Sequence, residues 1–363
     1  MKIAFIRGQY INNFELQSYY PMLTDKSIKL IGFGSQKSKH QIKIPNIKLF
    51  SPVDLPDFPY KLPILNRFFI DAMYLFRLEN NLKHFDIAHA RETYFHFSKQ
   101  AIIAKQKRIV KKTLITCSET IPFNHETIWG RKTMKQFVRD NTDHFHCLTQ
   151  KAKECLIKEG VGEEKITVIN YGINLKQFKP IPKKTNQDFT FLFIGRLEDQ
   201  KGVKELLEAW QKLKQNYQNI KLKIIGKGPL KILVEENGIK PEFYPYEQIP
   251  QITAQADCLI LPSKPTQFWE EYYGMVLLEA MACGVPIIST NSGAIPEILG
   301  QTGIIVNHSS SQQLFKAMVK IIENKNLRQE LSQKGLERVK EKFDCRKQAQ
   351  KLKKLYQKIL NDK

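Results

Sequence analysis

The sequence predicts an α/β protein with two doubly wound domains that face each other across a cleft, followed by a closing helix. The chain has 363 residues, which is too long for one ordinary core and fits two domains. Short apolar strands alternate with longer helical stretches, which is typical of parallel sheets covered on both faces. The alternation restarts after a segment rich in Pro and Lys at 178–188. We therefore expect domains at 1–180 and 181–345, and a helix at 346–363 that packs back on the first domain.

The first half contains seven predicted strands. Each is a short run of apolar residues next to polar or turn-forming residues. They lie at 2–7, 28–33, 47–51, 87–90, 113–117, 144–149 and 166–171. Between the third and fourth of them, residues 65–85 carry apolar side chains at steps of three and four, which predicts one long helix.

The second half repeats this pattern with five predicted strands. They lie at 189–197, 222–226, 258–263, 286–290 and 303–306. Helices are predicted at about 202–217 and 275–283, and the chain is helical from Ser310 onward. In open α/β sheets ligands bind at the carboxyl ends of the strands, so two such domains create a binding cleft there.

Composition excludes several classes of protein. Hydrophobic residues make up 42% of the chain, which indicates a globular and not a disordered protein. No apolar run approaches the roughly 20 residues of a membrane span, and Arg7 interrupts the N-terminus too early for a signal peptide. The six cysteines form no CxxC pair, and His144 and His146 have no nearby third ligand, so we expect reduced thiols in a cytoplasmic protein and no metal site.

The net charge of +21 favours an anionic partner. Residues 1–180 carry 29 Lys and Arg against 16 Asp and Glu, a balance of +13, and basic runs lie at 105–112 and 131–139. Solvated helix faces are the alternative explanation of these runs. A membrane surface or a nucleic acid would fit the charge, but no nucleic-acid-binding signature is present, so we expect no nucleic-acid partner.

Two glutamates, Glu271 and Glu279, interrupt the apolar segment "EEYYGMVLLEAMACGVPIIST". Local signals predict a loop at 272–274, a helix at 275–283 and then a buried strand. Glu271 would precede the helix and Glu279 would lie in it, so both carboxylates can face one ligand near the helix N-terminus. The alternative is that Glu279 faces solvent and Glu271 is a loop charge.

A second candidate site surrounds Arg196 and Lys201. Gly195 ends a predicted strand and Lys201 begins a helix, so two cations five residues apart can clamp an anion such as a diphosphate. Ordinary surface charge at a strand end is the alternative. Gly226 ends the next strand in "IIGKGPL", which is too short for the GxGxxG fingerprint and is no P-loop.

The run "PSKPTQFWEEYYGMVLLEAMACGVPIISTNSGAIPEIL", with "GRLEDQKG" and "VINYGINLKQF" upstream, resembles the retaining glycosyltransferases of glycosyltransferase family 4. That family has the GT-B fold of two Rossmann-like domains. The similarity covers most of residues 145–345, and the first domain resembles the family only loosely. Glu271 and Glu279 match the family's E-x7-E motif, which implies that Glu271 contacts the donor sugar and Glu279 contacts the ribose hydroxyls of the nucleotide.

The resemblance also implies how a diphosphate is held. The backbone N–H groups of Gly274, Met275 and Val276, at a helix N-terminus, would receive it together with Arg196 and Lys201. Gly195 and Gly226, at neighbouring strand ends, would line the same nucleotide site. One departure is Tyr272, which stands where the family usually has glycine and would narrow the donor pocket.

In this family the N-terminal domain holds the acceptor and the C-terminal domain holds the nucleotide sugar. Gly8 matches a glycine in the loop after the first strand, although the family's paired glycines are missing. Glu119 fills an acidic position in "LITCSETIPF" and would lie near the acceptor. His89 follows another strand and would line the cleft, either as a catalytic residue or as a hydrogen-bonded wall residue.

The resemblance predicts transfer of a hexose-type sugar, with retention of configuration, from a UDP- or GDP-linked donor to a hydroxyl of a cell-surface glycan or a lipid-linked acceptor. The acceptor hydroxyl would lose its proton to the departing phosphate oxygen, while Arg196 and Lys201 neutralise the diphosphate. We expect no cofactor and no metal, since the sequence has no DxD triplet. The alternatives are a GT-B sugar-nucleotide epimerase or phosphorylase and, less favoured, a basic nucleic-acid-binding protein.

A use for the basic first domain follows from the same resemblance. The basic run 105–112, with the aromatic segment 65–78, would hold the enzyme against an anionic leaflet. The predicted location is therefore the cytoplasm, with peripheral contact to the inner face of the plasma membrane.

Overall fold

The chain divides into two units in the structure, a computed structural model that describes residues 1–38, 42–183 and 188–362. The first unit comprises Met1–Gly172 with the chain from Cys345 onward, and the second comprises Ile173–Asp344. The division falls earlier than the predicted position of 180, because the backbone N–H of Ile173 donates to the carbonyl of Phe343 at 2.7 Å and ties this segment to the second unit. Residues 184–187 of the predicted linker lie outside the described residues.

The first unit is built on a seven-stranded sheet in which each adjacent pair of strands is parallel. Its strands are β1 (Lys2–Gly8), β2 (Lys29–Ser35), β3 (Asn46–Leu49), β4 (Ile87–Arg91), β5 (Lys112–Cys117), β6 (His144–Cys147) and β7 (Ile166–Val168). The order across the sheet is β3-β2-β1-β4-β5-β6-β7. This order starts at the middle of the sheet and reverses direction once, which confirms the predicted doubly wound arrangement.

Both faces of this sheet are covered. The helices are α1 (Asn13–Leu16), α2 (Lys61–Phe69), α3 (Leu78–Asn81), α4 (His96–Gln106), α5 (Arg131–Asn141) and α6 (Gln150–Lys158). Side chains alternate along a strand, so Ala4 and Ile6 of β1 enter one hydrophobic core while Ile3 and Phe5 enter another. The continuous apolar character of β1 follows from this two-sided burial.

The single helix predicted at 65–85 is wrong. Ile70, at φ 62°, ends α2, and α3 begins only after Arg77, at φ 61°. The interruption is stabilised by Asp71, whose buried carboxylate accepts from the backbone N–H of His96 at 2.9 Å and pairs with Arg131 at 3.2 Å. The apolar period of three and four residues therefore continues across a segment that is not helical.

The second unit contains a five-stranded parallel sheet. Its strands are β8 (Phe189–Ile194), β9 (Ile220–Ile225), β10 (Cys258–Leu261), β11 (Ile287–Thr290) and β12 (Ile304–Val306), in the order β12-β11-β10-β8-β9. Its helices are α7 (Val203–Asn216), α8 (Lys231–Glu236), α9 (Ile249–Gln255), α10 (Met275–Ala282), α11 (Ile295–Leu299), α12 (Ser311–Glu323) and α13 (Lys325–Lys342). All five predicted strands and the two predicted helices are confirmed.

The last helix, α14 (Cys345–Asn361), belongs to the first unit. Its residues Leu352 and Leu355 are buried in the same core as Phe5 and Leu30. Apolar side chains at steps of three and four place one face of α14 in this core. Among the described helices of both units, none has the length and apolar character needed to cross a membrane.

Candidate active site

Four loops of the second unit follow the carboxyl ends of neighbouring parallel strands. They comprise residues 195–202 after β8, 226–230 after β9, 262–274 after β10 and 291–294 after β11. The carboxyl ends of parallel strands lie at one edge of a sheet, so these loops converge there. This edge carries most of the residues that the sequence singled out.

Lys201 and Glu271 meet in a largely buried ion pair. The Nζ of Lys201 lies 2.7 Å from Oε2 of Glu271, and their side chains are 13% and 9% exposed. The hydroxyl of Ser263 donates to the same carboxylate oxygen at 2.7 Å. Oε2 of Glu271 therefore accepts from both groups and fixes the position of the lysine ammonium.

The ammonium of Lys201 also lies against an aromatic ring. Its Nζ is 4.6 Å from the centre of the Trp269 ring, which is a favourable cation–π distance. The following residue, Gly202, has φ 69°, and a Cβ there would lie 1.9 Å from the carbonyl oxygen of Pro262. Only glycine lets the loop after β8 approach the loop after β10 this closely.

The backbone of Glu271 is held by the loop after β11. The carbonyl of Glu271 accepts from the N–H of Ala294 at 2.8 Å. Gly293 has φ 58°, and a Cβ on it would lie 2.2 Å from that carbonyl oxygen. Three loops thus fix Glu271, which gives its carboxylate little freedom to move.

The N-terminus of α10 lies just after Glu271 in the chain. Gly274 is the N-cap, with φ 77° and ψ 62°, and no side chain caps the helix. The N–H of Leu277 donates to the carbonyl of Gly274 at 2.9 Å, whereas those of Met275 and Val276 have no intrahelical carbonyl to bond. Both residues are half-buried, so this helix end has the N–H groups and dipole that bind anions elsewhere.

Glu279 lies inside α10 and is 2% exposed. The hydroxyl of Tyr246 donates to its Oε1 at 2.7 Å, while Oε2 has no hydrogen-bond partner among the described residues. Burial raises the pKa of Glu279 to about 7, against a smaller lowering by the Tyr246 hydrogen bond. A buried carboxylate oxygen without a donor is an available acceptor for hydroxyl groups of a ligand.

Arg196 does not join this cluster. Its Nη1 pairs with Glu198 at 2.8 Å, and its side chain is 59% exposed. Gly195 and Gly226 bring the loops after β8 and β9 together, since a Cβ on Gly226 would lie 1.8 Å from the carbonyl oxygen of Gly195. These two glycines therefore shape the edge of the sheet.

His89, predicted either as a catalytic residue or as a hydrogen-bonded wall residue, is a fully buried residue of β4. Its Nδ1 lies 2.7 Å from the hydroxyl of Tyr356 in α14, and its Nε2 lies 2.6 Å from Oγ1 of Thr116 in β5. Burial, with smaller effects of Arg7 and His146, lowers the pKa of His89 well below its usual value. Both ring nitrogens are occupied away from solvent, which contradicts contact with an acceptor and leaves His89 a structural role.

Glu119 and Gly8, the other two residues predicted in the first unit, lie at the ends of β5 and β1. The carboxylate of Glu119 accepts from the N–H of Thr120 at 2.9 Å and of Ile121 at 3.0 Å, and burial raises its pKa to about 7. Gly8 has φ 55°, and a Cβ on it would lie 3.1 Å from the Phe97 ring. Glu119 orders its own loop, and its contact with an acceptor stays a prediction.

Sequence reasoning assigned no individual role to three of the contacting side chains. These are Ser263 and Trp269, which hold the Lys201–Glu271 pair, and Tyr246, which bonds Glu279. Ser263 carried a signal, because it follows a buried strand by two residues and so lies at the ligand-binding edge. Trp269 lies in a loop and Tyr246 begins a short 3₁₀ helix (Tyr246–Gln248), and the sequence does not reveal the course of either segment.

Two family models match consecutive parts of the chain. The model described as Glycosyltransferase Family 4 matches residues 36–177, and the model described as Glycosyl transferases group 1 matches residues 175–338. An uncharacterized glycosyltransferase of Methanocaldococcus jannaschii is 25% identical over 309 residues, which cover 76% of each chain. The capsular polysaccharide biosynthesis glycosyltransferase CapM of Staphylococcus aureus is 26% identical over 271 residues, which cover 65% of this chain and 68% of CapM.

Solved structures share the architecture at low sequence identity. HepE of Anabaena, in complex with UDP and glucose, has a TM-score of 0.77 at 16% identity. The match covers 98% of this chain and 99% of the HepE chain. Sucrose-phosphate synthase from Thermosynechococcus elongatus has a TM-score of 0.76 at 18% identity, with 100% of both chains covered. These likenesses confirm the predicted GT-B fold. The chain belongs to glycosyltransferase family 4, the glycosyl transferases of group 1.

Proposed function

We propose that this glycosyltransferase moves a hexose, with retention of configuration, from a UDP- or GDP-linked donor to a hydroxyl of a glycan or a lipid-linked acceptor. The observation that carries the proposal is the ion pair between Lys201 and Glu271. Glu271 comes just before α10 in the chain, and no side chain caps the N-terminus of this helix. A fixed cation and free N–H groups are what a diphosphate leaving group requires. The second unit is thus the donor unit, and the first takes the acceptor.

The nucleoside end of the donor is assigned to Glu279. Its Oε1 is held by Tyr246, and its Oε2 is buried without a donor among the described residues. Two adjacent ribose hydroxyls would supply the missing hydrogen bonds. Hydrogen bonds to a charged acceptor contribute about 1.5–3 kcal/mol each, enough to decide whether the nucleotide binds.

The diphosphate is assigned to Lys201 and to the backbone N–H groups of Gly274, Met275 and Val276. Arg196 adds a second cation once it exchanges its surface partner Glu198 for a phosphate oxygen. As the bond from the sugar to the phosphate breaks, negative charge grows on the leaving oxygen, and prearranged cations stabilise that charge most in the transition state. The leaving oxygen takes the proton of the acceptor hydroxyl, and the reaction proceeds without a metal ion.

Relatives support the class of substrate. CapM is a capsular polysaccharide biosynthesis enzyme by name, and HepE was solved with UDP-glucose as well as with UDP. A polysaccharide or lipid-linked glycan acceptor and a nucleoside diphosphate sugar are the corresponding proposals for this chain. Neither a cofactor nor a nucleic-acid partner is part of the proposal.

Calorimetric titration with UDP, GDP and ADP tests the donor site. Selective binding of one nucleotide is expected in the unaltered protein, with a loss of about tenfold or more in Glu279→Ala, because a charge-assisted hydrogen bond is removed. Glu236→Ala, at an exposed position of α8, is the matched control and should bind normally. Folded protein that binds none of the three nucleotides would refute the proposal.

The stereochemical outcome needs its own experiment. With the donor identified, the anomeric configuration of the product is read from proton coupling constants in NMR spectra. Retention and full activity in the presence of a chelator are expected. An inverted product, or activity that requires an added divalent cation, would overturn the mechanism while leaving the donor site in place.

A further inference from the structure

The segment that carries Trp269 is anchored on the loop and the helix that follow β8. The backbone N–H of Lys264 donates to the carbonyl of Gln200 at 2.9 Å. The Nζ of Lys264 pairs with Glu205, in the first turn of α7, at 2.7 Å and with Asp199 at 3.1 Å. The Lys264 side chain is 15% exposed, so these contacts lie mostly out of water. The start of the segment is therefore fixed against the loop after β8.

A turn of the backbone and a second aromatic ring fix Trp269 itself. The N–H of Thr266 donates to the carbonyl of Trp269 at 2.7 Å, which closes a turn over residues 266–269. The ring of Trp269 lies 6.2 Å from the ring of Tyr272, with 64° between the two planes, which is an edge-to-face contact. The position of the Trp269 ring is thus set by this turn and by Tyr272, and the side chain is half-buried.

The Trp269 ring covers one side of the Lys201 ammonium, with the Nζ 4.6 Å from the centre of the ring. An ammonium has three N–H groups. Among the described residues Glu271, at 2.7 Å, is the one hydrogen-bond acceptor of the Lys201 ammonium. The ring occupies directions from which water would approach this ammonium. A cation with less water around it attracts an anion more strongly, because the local dielectric constant is lower.

We propose that Trp269 is a positioning residue for the diphosphate of the donor and that it acts through the Lys201 ammonium. This inference rests on the proposed function, since it takes Lys201 as the cation that binds the terminal phosphate of a nucleoside diphosphate. Glu271 and Trp269 hold the ammonium from two sides and leave an N–H for a phosphate oxygen. The ring itself needs no contact with the phosphate. Tyr272, which supports the ring, belongs to the same arrangement.

A comparison of two nucleotides separates this role from a structural one. UDP has the terminal phosphate and UMP lacks it, so a residue that acts through Lys201 affects the affinity for UDP alone. In Trp269→Ala we expect the calorimetric affinity for UDP to fall by about fivefold, the scale of a partly desolvated cation–π contact, with the affinity for UMP unchanged. If GDP or ADP is the nucleotide that binds, the corresponding diphosphate and monophosphate take the place of UDP and UMP.

Two further variants test whether the ring is the cause. Trp269→Phe keeps a ring face over the ammonium and should recover most of the affinity for UDP. Phe268→Ala is the matched control, because Phe268 is the neighbouring ring in the same loop and is 53% exposed. It should leave both affinities within about twofold of the unaltered protein. An equal loss of UDP and UMP affinity in Trp269→Ala would show a structural role and overturn the proposal.

A double-mutant cycle with Lys201 completes the test. Lys201→Ala should lower the affinity for UDP by about tenfold or more, since a charged hydrogen-bond donor is removed. Trp269→Ala should cause no additional loss in the Lys201→Ala protein, because the group through which it acts is absent. A full additional loss would overturn the proposal. Weaker UDP binding in Lys201→Ala but not in Trp269→Ala would overturn this inference alone, whereas unchanged binding in both variants would also overturn the assignment of the diphosphate to Lys201.

Discussion

The Nζ of Lys201 and Oε2 of Glu271 are 2.7 Å apart and join two loops separated by 70 residues of sequence. With both side chains mostly removed from water, loss of either partner leaves an uncompensated charge. The hydroxyl of Ser263 also donates to Oε2 of Glu271, so this oxygen accepts hydrogen bonds from two groups, the Lys201 ammonium and the Ser263 hydroxyl. The ammonium is therefore positioned by Glu271 and still able to interact with an anion.

Removal of the Lys201 ammonium should slow the chemical step. In Lys201→Ala we expect kcat to fall by about 10²–10³-fold, the loss typical of a prearranged group that stabilises developing charge. Initial rates at saturating donor measure this effect. Lys204→Ala is the control, because Lys204 pairs with Asp199 at the surface with its side chain 52% exposed, and such a pair affects activity by less than about fivefold. Unchanged turnover in Lys201→Ala would contradict the assigned role.

Glu279 should make the second unit less stable as the pH rises. Its pKa is about 7 in the folded protein, above the ordinary value of 4.5, so folding favours the protonated form. The contribution of Glu279 to the free energy of unfolding is then greatest below pH 4.5. It declines as the pH rises through 7, by up to about 3 kcal/mol. The glutamine side chain of Glu279→Gln does not titrate in this pH range. The free energy of unfolding of this variant should therefore exceed that of the unaltered protein at alkaline pH, and the two values should approach each other in acid.

Denaturant unfolding at pH values of about 5 and 8 measures this difference. Glu119 and Asp71 also have raised pKa values, at about 7 and 6, but both are present in the two proteins and their effects cancel in the comparison. Glu236→Gln, at an exposed position, should follow the unaltered protein at both pH values. The same Glu279→Gln protein should bind nucleotide weakly, so stability and binding would change in opposite directions. A constant difference between the two proteins across this range would exclude a buried, titrating Glu279.

The fold was predictable because strands buried on both faces appear as continuous apolar runs. The predicted runs overlap all twelve strands, from β1 to β12, although edge strands such as β3 are only half-buried. Periodicity failed at 65–85, where the buried carboxylate of Asp71 accepts from the backbone N–H groups of Met73 at 3.2 Å and His96 at 2.9 Å and so stabilises a segment that is not helical. One polar residue among apolar ones gives no sign that it will bond the backbone of His96, which lies 25 residues further along the chain.

Site residues could be predicted where the end of a strand determines their position. They could not be predicted where contacts with residues distant in the sequence determine it. Lys201 and Glu271 follow β8 and β10, neighbouring strands whose loops must meet. His89 also follows the general pattern of a polar residue near a strand end, yet Tyr356 bonds it from 267 residues away. Only the position of α14 distinguishes a structural histidine from a catalytic one.

Replacement of His89 should therefore lower stability and leave donor binding unchanged. In His89→Leu the buried hydroxyl of Tyr356 loses its partner, whereas Thr116 keeps His146 at 3.1 Å, so the expected loss is about 1–3 kcal/mol for one unsatisfied group. Denaturant unfolding and calorimetric nucleotide titration measure the two properties on the same sample. Lys351→Leu, at an exposed position of α14, is the control, with a change within about 0.5 kcal/mol. Weaker nucleotide binding in folded His89→Leu would argue for a functional histidine.

Gly274→Ala should weaken nucleotide binding in addition to straining the backbone. Gly274 and Gly238 have similar φ values, 77° and 75°, so alanine at either position is strained by about 1–2 kcal/mol. At Gly238 the added Cβ meets nothing within 4 Å, whereas at Gly274 it would lie 2.9 Å from Cδ1 of Leu277, in the first turn of α10. Both variants should lose stability, but only Gly274→Ala should lose affinity for the nucleotide, because its added methyl group lies at the N-cap of α10, beside the N–H groups assigned to the diphosphate. Equal affinity in the two alanine variants would show that the N-terminus of α10 does not bind the diphosphate.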